Sequence, residues 1–271
     1  MTPAGRVHPN TSPSTALQIF ERHFQGLNAY DRYLDDLSFV EPRLKRFAQG
    51  LSSGQQLAMF QRELTHINYP TFRRLVEEMM SLRDVAILET GSSAYGTNSS
   101  ALFAQLARAL GGTFVTVDAN PATAAGATEL IAQLGCGGVA RAVCSESVAF
   151  LRQHAARCNV VYLDSFDLVP DRFVESENHG WSEFKTLCER GLLDSRGALI
   201  LVDDTPRTLE ILATQVDDAY LAKAREHLVR HNRLPGKGAL ITQRVASDQR
   251  FELLAWEYQL LIRVRPDAGL R

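Results

Sequence analysis

Cysteine is scarce in this chain. Its 271 residues hold four, Cys136, Cys144, Cys158 and Cys188, and no two stand at C-x-x-C spacing. That spacing would mark a zinc ribbon or a dithiol redox site; without it, and with no secretion signal, the thiols read as reduced. Charge of one sign is lacking too. The net charge is -2, which leaves no electrostatic case for nucleic acid or an anionic membrane as a partner. No apolar run approaches the ~18 residues of a membrane span. Met1 to Ser14 is polar, carries Pro3, Pro9 and Pro13, and lacks the apolar core of a signal peptide, so the expected location is cytoplasmic. The phosphate-binding loops are also missing. There is no G-x-G-x-x-G, and Gly96 is followed by Thr97 rather than the Lys of G-x-x-x-x-G-K-[ST].

What remains is a globular composition, 45% hydrophobic and 22% charged. Val85 to Glu89 is an apolar run ending in a carboxylate, followed by Thr90-Gly91 and, after a short loop, Gly96. A helical stretch over 98–110 and a second apolar run ending in Asp118 complete a βαβ nucleotide-binding half. Gly91 would allow close backbone approach, and Asp118 stands where it could accept ribose hydroxyls. Two further apolar runs end in Asp164 and in Asp203-Asp204.

The pattern predicts strands at 85–90, 113–117, 139–143, 160–163, 198–202, 239–245 and 251–264. It predicts helices at 98–110, 121–134, 146–156, 180–191 and 207–230. This alternation argues for an α/β fold with a doubly wound, seven-stranded sheet. The last two strands, joined by a polar turn at Ser247-Asp248, should form an antiparallel hairpin. Residues 1–83 read as an all-helical extension before a catalytic domain at 84–271. Its apolar stripe runs through Leu17, Phe20, Phe24, Leu27, Tyr30, Leu34 and Leu37, then Leu57, Phe60, Leu64 and Ile67, then Phe72, Leu75, Val76 and Met79. Such an extension is either a cap on the sheet edge, or a substrate lid or homodimer surface.

The loop Gly91-Ser92-Ser93-Ala94-Tyr95-Gly96 suits a nucleoside without a pyrophosphate, because Tyr95 takes space the pyrophosphate would need. Glu146-Ser147 stands where an adenine edge would lie, or else belongs to a helix cap. Asp164, Asp203 and Asp204 come from two strands ending side by side. They can supply hard oxygen ligands to Mg²⁺, which would relieve their mutual repulsion; alternatively, they cap a succeeding helix or turn. His179, in a polar stretch before a helix, is a candidate general base or an exposed loop residue. Lys237 lies between Gly236 and Gly238, where it could reach a substrate or sit in a tight turn.

Together these segments resemble the successive motifs of class I S-adenosylmethionine-dependent methyltransferases: Glu89-Thr90-Gly91, Val117-Asp118, Glu146 to Leu151, Val161 to Asp167, and Ile200 to Thr205. The nearest subgroup is the metal-dependent small-molecule O-methyltransferases of catechol and macrolide-sugar type. The resemblance spans about Val85 to Val264. It implies a seven-stranded sheet with a terminal hairpin. It places Glu89, Gly91, Ser92 and Gly96 at the cofactor loop, Asp118 at the ribose, Glu146 and Ser147 at the adenine, and Asp164 beside the cofactor. It makes Asp164, Asp203 and Asp204 the Mg²⁺ ligands. Two departures stand out. Four residues separate Gly91 from Gly96, where the catechol type has three. No Lys stands in the Leu163 to Phe166 stretch, so the base of some relatives is missing there.

The resulting expectation is methyl transfer from S-adenosylmethionine to a hydroxyl of a small molecule, assisted by Mg²⁺, with His179, Asp164 and Lys237 as catalytic candidates. A nicotinamide-dependent oxidoreductase is the second enzyme reading, against which the missing G-x-G-x-x-G counts. A non-catalytic cofactor-binding scaffold is the third, against which the three aspartates count. Sugar, phenol, polyketide and amino-acid hydroxyls all remain open as acceptors.

Overall fold

The computed structural model describes residues 13–27, 49–52, 54–56, 65–92 and 97–266. Among the described residues, α1 (Pro13–Gln25) and α2 (Tyr69–Met79) precede the sheet. Next come β1 (Ala86–Thr90), α3 (Ser99–Ala109), β2 (Thr113–Asp118), α4 (Pro121–Gln133), β3 (Ala140–Cys144), α5 (Ser147–Gln153), β4 (Val160–Leu163), α6 (Phe173–Glu189) and β5 (Ala198–Val202). The chain closes with α7 (Leu209–Ala213), α8 (Asp218–His231), α9 (Ala239–Ser247), β6 (Phe251–Trp256) and β7 (Leu260–Val264). The strands form one sheet in the order β3-β2-β1-β4-β5-β7-β6. Pairing is parallel from β3 across to β5, while β7 runs antiparallel to both β5 and β6. No described helix is long and apolar enough to cross a membrane.

The central strands β4 and β5 are buried at every position. They read as unbroken apolar runs because helices cover both sheet faces. Alternation sorts the two cores. Val160 and Tyr162 join the cluster with Phe20, Phe24, Phe72 and Phe103, while Val161 and Leu163 join the opposite cluster with Leu151, Phe184 and Ile241. The described helices of the N-terminal extension therefore pack on a face of the sheet. The Phe72 ring packs 5.4 Å from that of Tyr162 on β4. Of the predicted stripe, Tyr30, Leu34, Leu37, Leu57, Phe60 and Leu64 lie outside the described residues.

Four element assignments need correction. The run at 239–245, expected as a strand, is helix α9; the run at 251–264, expected as one strand, is a hairpin bent at Glu257 to Gln259. The terminal antiparallel pair exists, but within that second run rather than across Ser247-Asp248. The helix expected at 207–230 is two, α7 and α8, and α6 begins at Phe173 rather than at 180.

Candidate functional site

The strand order reverses between β1 and β4, the place where open α/β sheets leave a crevice at their carboxyl ends. Gly91, just past β1, has φ +82° and donates its N–H to the Val117 carbonyl at 2.8 Å. A Cβ there would lie 2.5 Å from the Asp164 carbonyl oxygen and 2.8 Å from the Ser165 nitrogen. Glycine is thus required twice, for its left-handed φ and for the close approach of β4's end.

Beside it opens a cavity of about 590 Å³, within the usual range for a cofactor. Gly91, Ser92, Asp118, Glu146, Ser147 and Asp164 all line it, as do His179 and Phe166. Asp118 accepts from the backbone N–H of Ser92 at 3.0 Å and of Asn120 at 2.7 Å, which fixes its carboxylate at the end of β2. Glu146 accepts from the N–H groups of Val148 and Ala149, so it is the N-cap of α5 as well as part of the wall. Gly96 and Tyr95 lie outside the described residues.

Glu89 is elsewhere. Its carboxyl is fully buried beneath the first turn of α3, where Ser99 Oγ and Ser100 Oγ each donate to it at 2.5 Å. Burial pushes its pKa up to about 7, against hydrogen bonds from Ser100, Ser99 and Thr116, with the Asp118 charge adding to the rise. A folded-state pKa above the ordinary 4.5 means the native state holds this proton more tightly than the unfolded chain. Glu89's contribution to stability is therefore whole below pH 4.5 and lost as pH rises through 7. The penalty amounts to about 3 kcal/mol. Glu89→Gln, neutral throughout, should gain that much on the wild type between pH 5 and 8 in urea unfolding. Parallel pH profiles for the two proteins would show that another group titrates.

His179 lies within α6, not in a loop before it. Its Nε2 is 2.9 Å from Ser165 Oγ, 3.0 Å from Ser147 Oγ and 3.6 Å from Glu183 Oε1. Ser165 in turn donates to Glu183 at 2.6 Å, so the network places a proton on His179 Nε2. Burial alone would lower the histidine's pKa, but the hydrogen bond and charge of Glu183, with the charge of Glu146, outweigh it and raise it. Phe166 stacks on the imidazole at 5.3 Å and carries the Arg172 guanidinium at 4.4 Å on its ring.

Asp164, Asp203 and Asp204 do converge, each offering a carboxylate oxygen within 4.8 Å of the others. What faces them is Lys237. Its Nζ donates to Asp164 Oδ1 at 2.5 Å and lies 3.0 Å from Asp204 Oδ2. Asp203 Oδ1 accepts from Gln259 at 2.6 Å and Asn68 at 3.4 Å, and Asp204 Oδ1 from the Tyr258 hydroxyl at 2.9 Å. A dication shared by the three would need an oxygen from each turned to one point, and the ammonium holds that point for two of them. The donor set as arranged fits a lysine rather than Mg²⁺. Burial would lower the lysine's pKa, but the charges of Asp164, Asp204 and Asp203 hold it well above the usual range. Asp164 alone of the three aspartates also lines the cavity.

Glu183, Ser165, Phe166, Asn68 and Gln259 were not among the expected site residues. Glu183 follows His179 at helical spacing, a signal readable only once α6 is taken to start before His179. Ser165 and Phe166 adjoin Asp164 directly. Asn68 and Gln259 carry no sequence signal.

No family model matches the chain, and no curated protein matches it. Among solved structures, it is similar to an O-methyltransferase from Bacillus cereus in complex with SAH, at 17% identity and TM-score 0.46, over 89% of this chain and 99% of that one. It is similar to the SAH-bound Podospora anserina methyltransferase PaMTH1, at 15% identity and TM-score 0.48, over 97% and 99%. A third is the O-methyltransferase TomG from Streptomyces achromogenes, involved in Tomaymycin synthesis, in complex with SAM. It aligns at 17% identity and TM-score 0.45, over 90% and 98%. Likeness this distant assigns no chemistry, and the functional reading rests on the site itself.

Proposed function

We propose that this chain transfers a methyl group from S-adenosylmethionine to a hydroxyl of a small molecule. One observation carries the reading. A dinucleotide's pyrophosphate would sit on the N-terminus of the helix after β1. Here the chain's own Glu89 carboxyl takes the first-turn hydroxyls of that helix. No residue of that helix lines the cavity, so the cavity suits an adenosine without phosphates, which also speaks against a nicotinamide cofactor.

Asp118, with lone pairs left beyond its two backbone donors, would hold the ribose hydroxyls. Val117, Ala119 and Phe166 supply apolar wall. When bound, S-adenosylmethionine supplies an electrophilic methyl on a sulfonium. His179 has its Nε2 engaged by Ser147 and Ser165 and serves the wall. Asp164, in the cavity and beside the lysine, would receive the acceptor's proton. We assign the acceptor side to the N-terminal extension, because Asn68, just before α2, donates to both Asp203 and Thr97.

S-adenosylhomocysteine should raise the melting temperature by mass action, and NAD should leave it unchanged. Asp118→Ala should weaken S-adenosylhomocysteine binding by about 1–3 kcal/mol, read by calorimetry. Stabilisation by NAD alone would overturn the proposal.

A further inference from the structure

Lys237 is built into the carboxylate cluster rather than resting against it. Its ammonium has three partners for three N–H bonds: Asp164 Oδ1 at 2.5 Å, the Asp164 carbonyl at 3.1 Å and Asp204 Oδ2 at 3.0 Å. Its side chain is 3% exposed. Three missing Cβ atoms make room for it. A Cβ on Gly236 would stand 2.7 Å from the Asp204 carbonyl, one on Gly238 2.7 Å from Thr205 Oγ1, and one on Gly180 of α6 would collide with the Lys237 carbonyl. The backbone is then pinned, since Lys237 N–H donates to the Asp204 carbonyl at 3.1 Å and Gly238 N–H to Thr205 Oγ1 at 3.0 Å. A solvated lysine drawn to an acidic patch would need none of this. Resting on the methyl-transfer reading, we propose that Lys237 is the resident cation of the Asp164–Asp203–Asp204 cluster, a positioning residue that holds Asp164 at the cavity in place of a divalent metal ion. The site then works with a cation supplied by the chain, and Mg²⁺ has no seat in it.

The test is Mn²⁺ binding by electron paramagnetic resonance, with S-adenosylhomocysteine affinity measured separately by calorimetry in EDTA and in Mg²⁺. The full-length protein should leave the free Mn²⁺ signal undiminished at millimolar ion, and its S-adenosylhomocysteine affinity should be the same in both buffers. Lys237→Met, which keeps the stem and removes the charge, should bind Mn²⁺ at least tenfold more tightly than the wild type, and adding Asp203→Asn should abolish that gain. Stoichiometric Mn²⁺ binding by the wild type, lost in Asp203→Asn, would overturn the inference whether or not Lys237→Met folds. In that case, unchanged S-adenosylhomocysteine binding would leave the methyl-transfer reading standing. Failure of the wild type to bind S-adenosylhomocysteine would remove that reading, and this inference with it.

Discussion

A chain that begins at Ser81 will not fold. Phe20, Phe24, Phe72, Leu75, Val76 and Met79 are each fully buried, and all belong to the cluster that includes Tyr162, Leu199, Leu201 and Leu261 of the sheet. At about 1.5–3 kcal/mol for each large apolar side chain, removing six forfeits roughly 9–18 kcal/mol. The whole stability of a domain is about 5–15 kcal/mol. Expression of the shortened chain should give insoluble protein. The finer test keeps the chain whole. Phe72→Ala should cost about 3–5 kcal/mol in urea unfolding, because its ring packs on Tyr162 and Phe103 and the site cannot collapse. A soluble, cooperatively unfolding truncation would sink the packing argument.

Gly91→Ala should be the most damaging single change in the cofactor loop. The left-handed φ alone costs a non-glycine residue about 1–2 kcal/mol. The added Cβ would also lie within 3.0 Å of three backbone atoms of Asp164 and Ser165, none of them able to swing aside. The parallel pair β1 and β4 must part at its carboxyl end, and overpacking of that kind adds about 1–3 kcal/mol. In a chain of this size the sum lowers the melting temperature by about 5–15 °C. S-adenosylhomocysteine affinity should fall with it, since Asp164 and Ser165 line the cavity. Gly126, inside α4 with nothing within 4 Å of its virtual Cβ, is the internal control. Gly126→Ala should stabilise by about 0.5–1 kcal/mol. Equal melting temperatures for Gly91→Ala and the wild type would mean the loop relaxes freely.

The sequence was most legible where one physical signal acted alone. The strands expected at 113–117, 160–163 and 198–202 match β2, β4 and β5 to within a residue, because doubly covered strands are short apolar runs closed by a carboxylate or glycine. Ala239 to Val245 misled because a short run with Leu240, Ile241 and Val245 suits a strand or a helix equally, and tertiary packing of Ile241 in the core decided for the helix. The bend at Glu257 to Gln259 carries no Gly, Pro or Asn, so nothing marked two strands. His179 looked like a loop residue because Gly180 follows it. That glycine is inside a helix for a reason no local rule contains, the passage of the Lys237 carbonyl from a segment more than fifty residues away. Gly91, Asp118, Glu146 and Asp164 were readable because each closes a strand or starts a helix. The lysine's partners were not, because they meet only through the fold.

His179 and Gly180 are adjacent in α6, yet they face different tasks, one walling the cavity and the other seating the Lys237 carbonyl. A helix is stiff over one turn, and close-packed neighbours transmit small displacements rather than absorb them. Whatever presses on His179 from within the cavity is therefore felt at the seat of Lys237, and through its ammonium at Asp164, which returns to the same cavity. The loop closes mechanically on itself. A ligand that shifts His179 should therefore shift the set of the carboxylates, and by reciprocity a change at Lys237 should alter that ligand's affinity, which calorimetry on Lys237→Met would read.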